Sequence, residues 1–270
     1  MGETLKTVQE LIDESGPVDV TWIYEQWREN LAGLMKKVTD RFELTLDPCT
    51  KGLEVEGELG SGIHGQVQCF AGPDIDWAVY SWTANPQQGF ANMHITLSPG
   101  AHVDLPIFGL AFANFGARPW AFVDCVPRRT LGSNWDYHQR YYASVNDKWL
   151  DLRRNNPQLD WFTSPSSYIR DVTSSVAFCY SGPMEQKTLD IAESWADESL
   201  DRWLGWWDDA EPTDPAERPA LSALTEDLRR TVAVYDPANS VVERLFGKET
   251  TDTFVGALWG EGRTLPRAGV

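Results

Sequence analysis

The sequence predicts an α+β fold: a three-layer α/β/α sandwich with a central antiparallel sheet. Apolar residues recur at helical spacing up to residue 40 and again after residue 131, but between Phe42 and Val126 they alternate with a period of two. The links between the alternating runs are brief and rich in Gly, Pro and Asp, too short for the crossover helices that parallel strands need. Helical segments precede and follow the strand block, so both sheet faces can be covered.

Residues 3–15 read as a short amphipathic helix stopped by Gly16-Pro17, and a longer helix is expected from Val20 to Val38 through Trp22, Ile23, Trp27, Leu31 and Leu34. Phe42–Leu46, Leu53–Glu58, Gln66–Phe70, Ile75–Trp82, Phe90–Leu97, Leu105–Phe115 and Trp120–Val126 read as strands of one meander. Helical spacing returns at Trp135–Val145 and Lys148–Arg154, and residues 167–181 read as extended. Helices are expected over 184–209 and Leu221–Val232, and Asp236-Pro237 opens a last helix carrying Val241, Val242, Leu245 and Phe246. With no repeat, low-complexity tract or linker, residues 1–270 are expected as a single domain. It comprises N-terminal helices over 1–40, the meander over 41–130, and a mainly helical part with one extended segment over 131–270.

Composition limits the function classes. Apolar content is 42% and charged content 23%, ordinary for a globular protein. No apolar run reaches the ~20 residues of a membrane helix, and Met1–Lys6 lacks the apolar region of a signal peptide. Cys49, Cys69, Cys125 and Cys179 contain no C-x-x-C pair and read as reduced thiols of a cytoplasmic protein. A net charge of −17 argues against nucleic-acid and anionic-membrane partners. Thirteen tryptophans suggest core indoles, with several left to line a flat pocket for an aromatic substrate.

Gly60-Ser61-Gly62-Ile63-His64-Gly65 matches the dinucleotide-binding pattern. The residues after it alternate like a strand, where a phosphate site needs a helix N-terminus, so the segment reads as a hairpin turn. His64, His94, His102 and His138 are not spaced as metal ligands, and no metal is expected. His102 and Asp104 read as solvated turn residues.

Two acid/base candidates stand out. His94 lies on an alternating run, so Asn92, His94 and Thr96 share one face. Asp236 precedes Pro237, a good N-cap and N1 pair. A carboxylate has two oxygens, so one can cap while the other faces a ligand.

The run from His94 to Leu-Pro-Ile-Phe-Gly at residues 105–109 resembles the ferredoxin-dependent bilin reductases. So does Asp236, placed 11 residues before Gly247 at the end of a Phe-Gly helix. Arg244-Leu245-Phe246-Gly247-Lys248-Glu249 is similar to the ending found in red chlorophyll catabolite reductases. Pro127-Arg128-Arg129-Thr130-Leu131, Asp136-Tyr137, Tyr141-Tyr142 and Ser164-Pro165-Ser166-Ser167-Tyr168-Ile169-Arg170 follow that branch in order, and the resemblance spans residues 75–260.

It implies reduction of a linear tetrapyrrole by single electrons from ferredoxin, with no bound metal or flavin, in a pocket between the sheet and the C-terminal helices. His94 and Asp236 would transfer protons, and Asn92, Thr96, Phe108, Ala111 and Arg170 would bind substrate. The resemblance also exposes a departure. Bilin reductases carry aspartate or asparagine, and the chlorophyll-catabolite branch glutamate, 17 residues after the His94 position, where this chain has Ala111. Alanine cannot transfer or orient a proton. An acidic ferredoxin would need a basic face on this negative chain, for which Arg128, Arg129, Arg153, Arg154 and Arg170 are candidates. Two other readings stand beside this one. The first is a cofactor-independent acid/base enzyme of specialised metabolism, condensing or cyclising a smaller aromatic substrate in the Pictet–Spengler manner. The second is a non-catalytic pigment carrier.

Overall fold

The computed structural model describes residues 3–4, 7–16, 18–56 and 62–270. Pro17 and most of the glycine-rich turn, residues 57–61, lie outside the described residues, as does most of the Met1–Lys6 opening.

The chain opens with β1 (Glu3–Thr4), α1 (Val8–Ser15) and α2 (Thr21–Arg41). The first helix is shorter than expected because Thr7 begins it with a capping box: its hydroxyl accepts the Glu10 N–H while the Glu10 carboxylate accepts the Thr7 N–H. Along α2, Ile23, Trp27, Leu31, Leu34 and Val38 form one buried stripe.

The strand block follows: β2 (Thr45–Leu46), β3 (Glu54–Glu56), β4 (His64–Ala71), β5 (Ile75–Asn85), β6 (Phe90–Pro99), β7 (Ile107–Phe115) and β8 (Arg118–Val126). Every strand expected from alternation is present. The β7–β8 hairpin turns at Gly116, whose φ of +64° suits only glycine without strain.

After β8 come α3 (Trp135–His138), a π turn, α4 (Ser144–Asn155), β9 (Asp160–Phe162), α5 (Ser167–Val172) and β10 (Phe178–Ser181). The extended reading of 167–181 is thus half right. The Ser166 hydroxyl accepts the Ile169 N–H and starts a helix before the chain extends into β10. The remainder is α6 (Gln186–Asp208), α7 (Arg218–Tyr235), α8 (Asn239–Phe246) and α9 (Lys248–Trp259). The helix after Asp236-Pro237 is therefore not the last. Gly247, at φ +78°, ends α8 and α9 follows.

The sheet has ten strands among the described residues, in the order β1-β9-β10-β8-β7-β6-β5-β4-β2, with β3 also paired to β4. It is antiparallel except for β1 beside β9. It exceeds the seven strands read from alternation because β1, β9 and β10 are only two to four residues long.

The two faces of the sheet carry different side chains. One face presents Ala78, Met93, Ile95, Leu97, Phe108, Leu110, Phe112 and Phe178, buried against α2 and α6 in the main core. Trp27 stacks on Phe112 at 5.1 Å, and Trp203 donates its indole N–H to the Pro106 carbonyl at 2.9 Å. The opposite face is covered by α7, α8 and α9. There Val67, Cys69, Trp77 and Val79 meet Phe254 and Ala257 of α9, and Ala113 and Trp120 meet Val241 and Leu245 of α8.

Two buried arginines fix α7 across the far end of this second face. Arg229 pairs with Asp76 at 3.1 Å, and Asp76 also takes Arg263 at 2.9 Å. Arg128 donates to the Thr225 hydroxyl of α7 at 2.9 Å and to the Val103 carbonyl at 2.9 Å. Burial pulls the Arg128 guanidinium down to about 10, although Asp104 and Asp76 act the other way.

Candidate active site

Cross-strand partners in a sheet point to the same side. The pairing Ser81–His94–Ala111–Phe122 runs across β5, β6, β7 and β8, and the next row on that face is Val79–Thr96–Gly109–Asp124. A third row, Thr83–Asn92–Ala113–Trp120, lies on the other side of His94. Asn92, His94 and Thr96 therefore share a face, and Ala111 stands directly opposite His94 on the neighbouring strand.

The helices above this face meet it at its ends and along β4. At one end α7 is held by Asp76 and Arg128. At the other, α8 reaches from Ala113 and Trp120 to Gly65, where Phe246 comes close. Along β4 lies α9. Ala111 and Phe122 join none of the apolar clusters, and His94, Thr96 and Phe122 are only half-buried although they sit mid-sheet. We take the centre of this face, where these three side chains keep open surface among the buried Ser81, Asn92, Ala111 and Asp124, as the floor of a recess.

His94 is held by little. Its Nδ1 lies 3.5 Å from the Ser81 hydroxyl. Burial holds its imidazole down at about 4, so it is neutral at pH 7. Asp236 sits in the α7–α8 link, half-buried, and one of its oxygens accepts the Ala238 N–H at 2.8 Å. It closes α7 instead of capping α8, whose N-cap is Ala238. The Asp-Pro-Ala sequence forms an Asx turn, which places the helix start two residues later than a direct cap would. Burial raises its carboxyl above the ordinary aspartate range against that single hydrogen bond, so it holds a proton more readily than a surface aspartate.

Two expected binding residues do not converge on the floor. Phe108 is fully buried on the opposite face, 6.2 Å from the Trp203 ring. It is an even-numbered residue of β7, whereas Gly109 and Ala111 point to the recess. Arg170 is exposed on α5 and donates to the Ser164 carbonyl at 2.6 Å. The tryptophans are mostly core: Trp27, Trp77 and Trp203 are fully buried, and only Trp120 stands on a floor row. His102 and Asp104 are not free turn residues, since His102 pairs with Asp74 and Asp104 with Arg129.

The expected basic face is reduced as well. Arg128 is only 2% exposed, and Arg129 is held by Asp104 at 2.7 Å. Arg153 lies over the Trp161 ring at 4.1 Å, and Arg154 faces Asp151 at 3.4 Å.

Asp124 was not singled out from sequence, though the alternation of β8 puts it on the same face as Trp120 and Phe122. Only 4% exposed, it accepts the Ser174 N–H at 2.7 Å and the Ser174 hydroxyl at 2.5 Å. Burial pushes its carboxyl up to about 6 despite these bonds. Among the described residues no cluster of His, Cys, Asp and Glu is arranged to hold a metal ion, and no helix is long and apolar enough to cross a membrane.

An antiparallel sheet between helical layers, with His94 half-exposed on a central strand, defines an α+β sandwich that carries a candidate site on one sheet face. Comparison with known structures agrees on the fold. Phytochromobilin synthase from tomato, solved in complex with biliverdin, superposes with a TM-score of 0.77 at 17% identity, covering 90% of this chain and 86% of that one. No curated protein matches the sequence. The family model for red chlorophyll catabolite reductase matches residues 27–259, and the chain belongs to that family. The family match makes it an oxidoreductase.

Proposed function

We propose that the protein reduces a linear tetrapyrrole, taking electrons one at a time from reduced ferredoxin, with His94 and Asp236 handling protons. The observation that supports this most directly is the half-exposed centre of the sheet face at His94 and Thr96. His94, Thr96, Gly109 and Ala111 offer a flat, small-residue floor that apolar clusters frame without filling. A conjugated, near-planar ligand fits such a floor, and the tomato relative was solved with biliverdin.

Asn92 and Thr96 flank His94 and would hydrogen-bond the pyrrole ring edges, while Ala111 leaves room where a larger side chain would press on the ligand. Neutral His94 accepts a hydrogen bond from a ring N–H. Asp236, with its raised carboxyl, gives a proton once the ligand has taken up an electron. No cofactor bound by the protein itself is needed in this scheme; ferredoxin supplies the electrons from outside. The unpaired Cys49, Cys69, Cys125 and Cys179 suit a reducing compartment such as the cytoplasm. The Pictet–Spengler reading gains nothing from the family match and is set aside.

The test is to mix the purified protein with biliverdin and record its absorption spectrum, then add reduced ferredoxin without oxygen. The expected result is a shifted long-wavelength band that bleaches as ferredoxin is oxidised. A spectrum equal to that of free biliverdin overturns the proposal.

A further inference from the structure

Gly109 lies in the interior of β7, between Thr96 and Asp124 on the recess floor. Its backbone is not in the left-handed region, so no turn demands glycine there. Nor does close packing demand it. A Cβ at this position would meet only the Phe122 ring at 3.6 Å and the Asp124 carbonyl oxygen at 3.9 Å, both ordinary contacts. No helix atom of the described residues comes within 4 Å of it. Glycine inside a strand weakens the strand, and where neither conformation nor packing requires it, it marks the close approach of a ligand.

Beside this gap stands a carboxyl with no cation. Asp124 is 4% exposed, accepts the N–H and O–H of Ser174 and the backbone N–H of Cys125, and forms no ion pair among the described residues. Two strand spacings, about 10 Å, separate β6 from β8, so one flat ligand lying over Gly109 can reach His94 at one side and Asp124 at the other.

Resting on the function proposed above, we infer that Gly109 and Asp124 form a second subsite of the recess, in which a pyrrole ring lies on Gly109 and Asp124 is a catalytic proton donor. This chain would thus supply from β8 the acid that Ala111 cannot. The ligand takes one electron from ferredoxin, which is oxidised. The Asp124 O–H bond breaks as the ligand forms a new bond to that hydrogen. The carboxylate left behind is held by the Ser174 N–H and O–H, and regains a proton from water.

The experiment uses the full chain, biliverdin and reduced ferredoxin. Asp124→Asn keeps an oxygen for the Ser174 N–H, so the biliverdin band should be retained with turnover lowered at least 30-fold. Ser174→Ala removes the hydroxyl bond but leaves the acid, and should lower turnover less than fivefold. Gly109→Val should weaken biliverdin binding at least tenfold, while Gly109→Ala folds like the parent.

Near-parental turnover in Asp124→Asn overturns the inference, and so do equal losses in Asp124→Asn and Ser174→Ala, which would make Asp124 a loop anchor. Should Gly109→Val misfold, the comparison of the Asp124 and Ser174 variants still decides. If the parent protein itself shows no biliverdin band, the proposed function falls and takes this inference with it. If the parent binds and only the variants behave otherwise, the subsite alone is wrong.

Discussion

The two faces of one sheet have been put to opposite uses. Toward α2 and α6, β6 and β7 present Met93, Ile95, Leu97, Phe108, Leu110 and Phe112, all 2% exposed or less. Toward α7, α8 and α9 the same two strands present Asn92, His94, Thr96, Gly109, Ala111 and Ala113. Alternation at period two makes this possible, since neighbouring residues belong to different environments. Stability is concentrated on the first face. The second carries small and polar side chains along these strands, and burial shifts their ionisation, with His94 pulled down to about 4 and Asp124 pushed up to about 6.

The largest expected effect lies on the packed face. Phe108→Ala should destabilise the protein by ~3–5 kcal/mol, the range for a large aromatic deleted from a core. The molecules that remain folded should bind biliverdin as before. Chemical denaturation and a binding titration on the same preparation measure both. Thr96→Val, one pair away on the recess face, should change stability by less than ~1 kcal/mol while weakening binding. A mild stability effect at Phe108 would mean that the two faces are not divided as described.

Titration sharpens the contrast. The His94 pKa is lower in the folded chain, about 4, than its ordinary 6.5. Folding therefore favours the neutral ring. Its contribution to stability is complete above pH 6.5 and is lost as the pH falls from there through 4, on the order of 3 kcal/mol in all. Asp124 runs the other way. Its pKa is raised from 3.8 to about 6, so its contribution is complete below 3.8 and is lost as the pH rises through 6. Unfolding free energies from pH 4 to 8 should show His94→Gln losing the acid-side decline and Asp124→Asn losing the neutral-side one. Parallel curves for both variants and the parent would show that the recess groups do not sense burial.

How much of this was legible in the sequence depends on range. The meander was readable because alternation is a local signal and each strand from β4 to β8 is at least eight residues long. The shared face of Asn92, His94 and Thr96 followed from the same rule. Phe108 was misplaced because the resemblance pointed to a segment, and only parity within the strand tells its two faces apart. Asp124 went unnoticed because a single acid in a strand gains meaning only when Gly109 and Thr96 are laid beside it. The roles of Arg128 and Asp76 rest on Thr225 and Arg229, about 100 and 150 residues away in sequence, and no local pattern announces such partners.

Asp236 tests the α7–α8 link. Its carboxylate accepts one N–H, from Ala238, and asparagine can do the same. Asp236→Asn should therefore alter stability by less than ~1 kcal/mol. It cannot deliver a proton, so ferredoxin-supported turnover should fall about 100-fold with biliverdin binding intact. Turnover close to that of the parent would make Asp236 a turn residue only and leave proton transfer to the floor.

The smallest effect concerns where the electron donor lands, and here too the faces differ. On the α2 and α6 side, Lys37, Arg41 and Lys148 are each held by acids of α6, namely Asp197 and Asp201, Asp208, and Glu198. That surface has little positive charge to offer an acidic ferredoxin. On the other side, Arg170 is exposed on α5 with the Ser164 carbonyl as its side-chain partner among the described residues, and α5 leans on α7 through Tyr168 and Thr231. A donor steered against a net charge of −17 should therefore dock on the α5 and α7 side. Arg170→Glu should lower ferredoxin-supported turnover about two- to fivefold at low salt, with the difference fading near ~0.5 M as exposed charges are screened. Lys148→Glu should leave turnover unchanged. A larger loss from Lys148→Glu than from Arg170→Glu would place the donor on the packed face, and electrons would then have to cross the whole sheet to reach the recess.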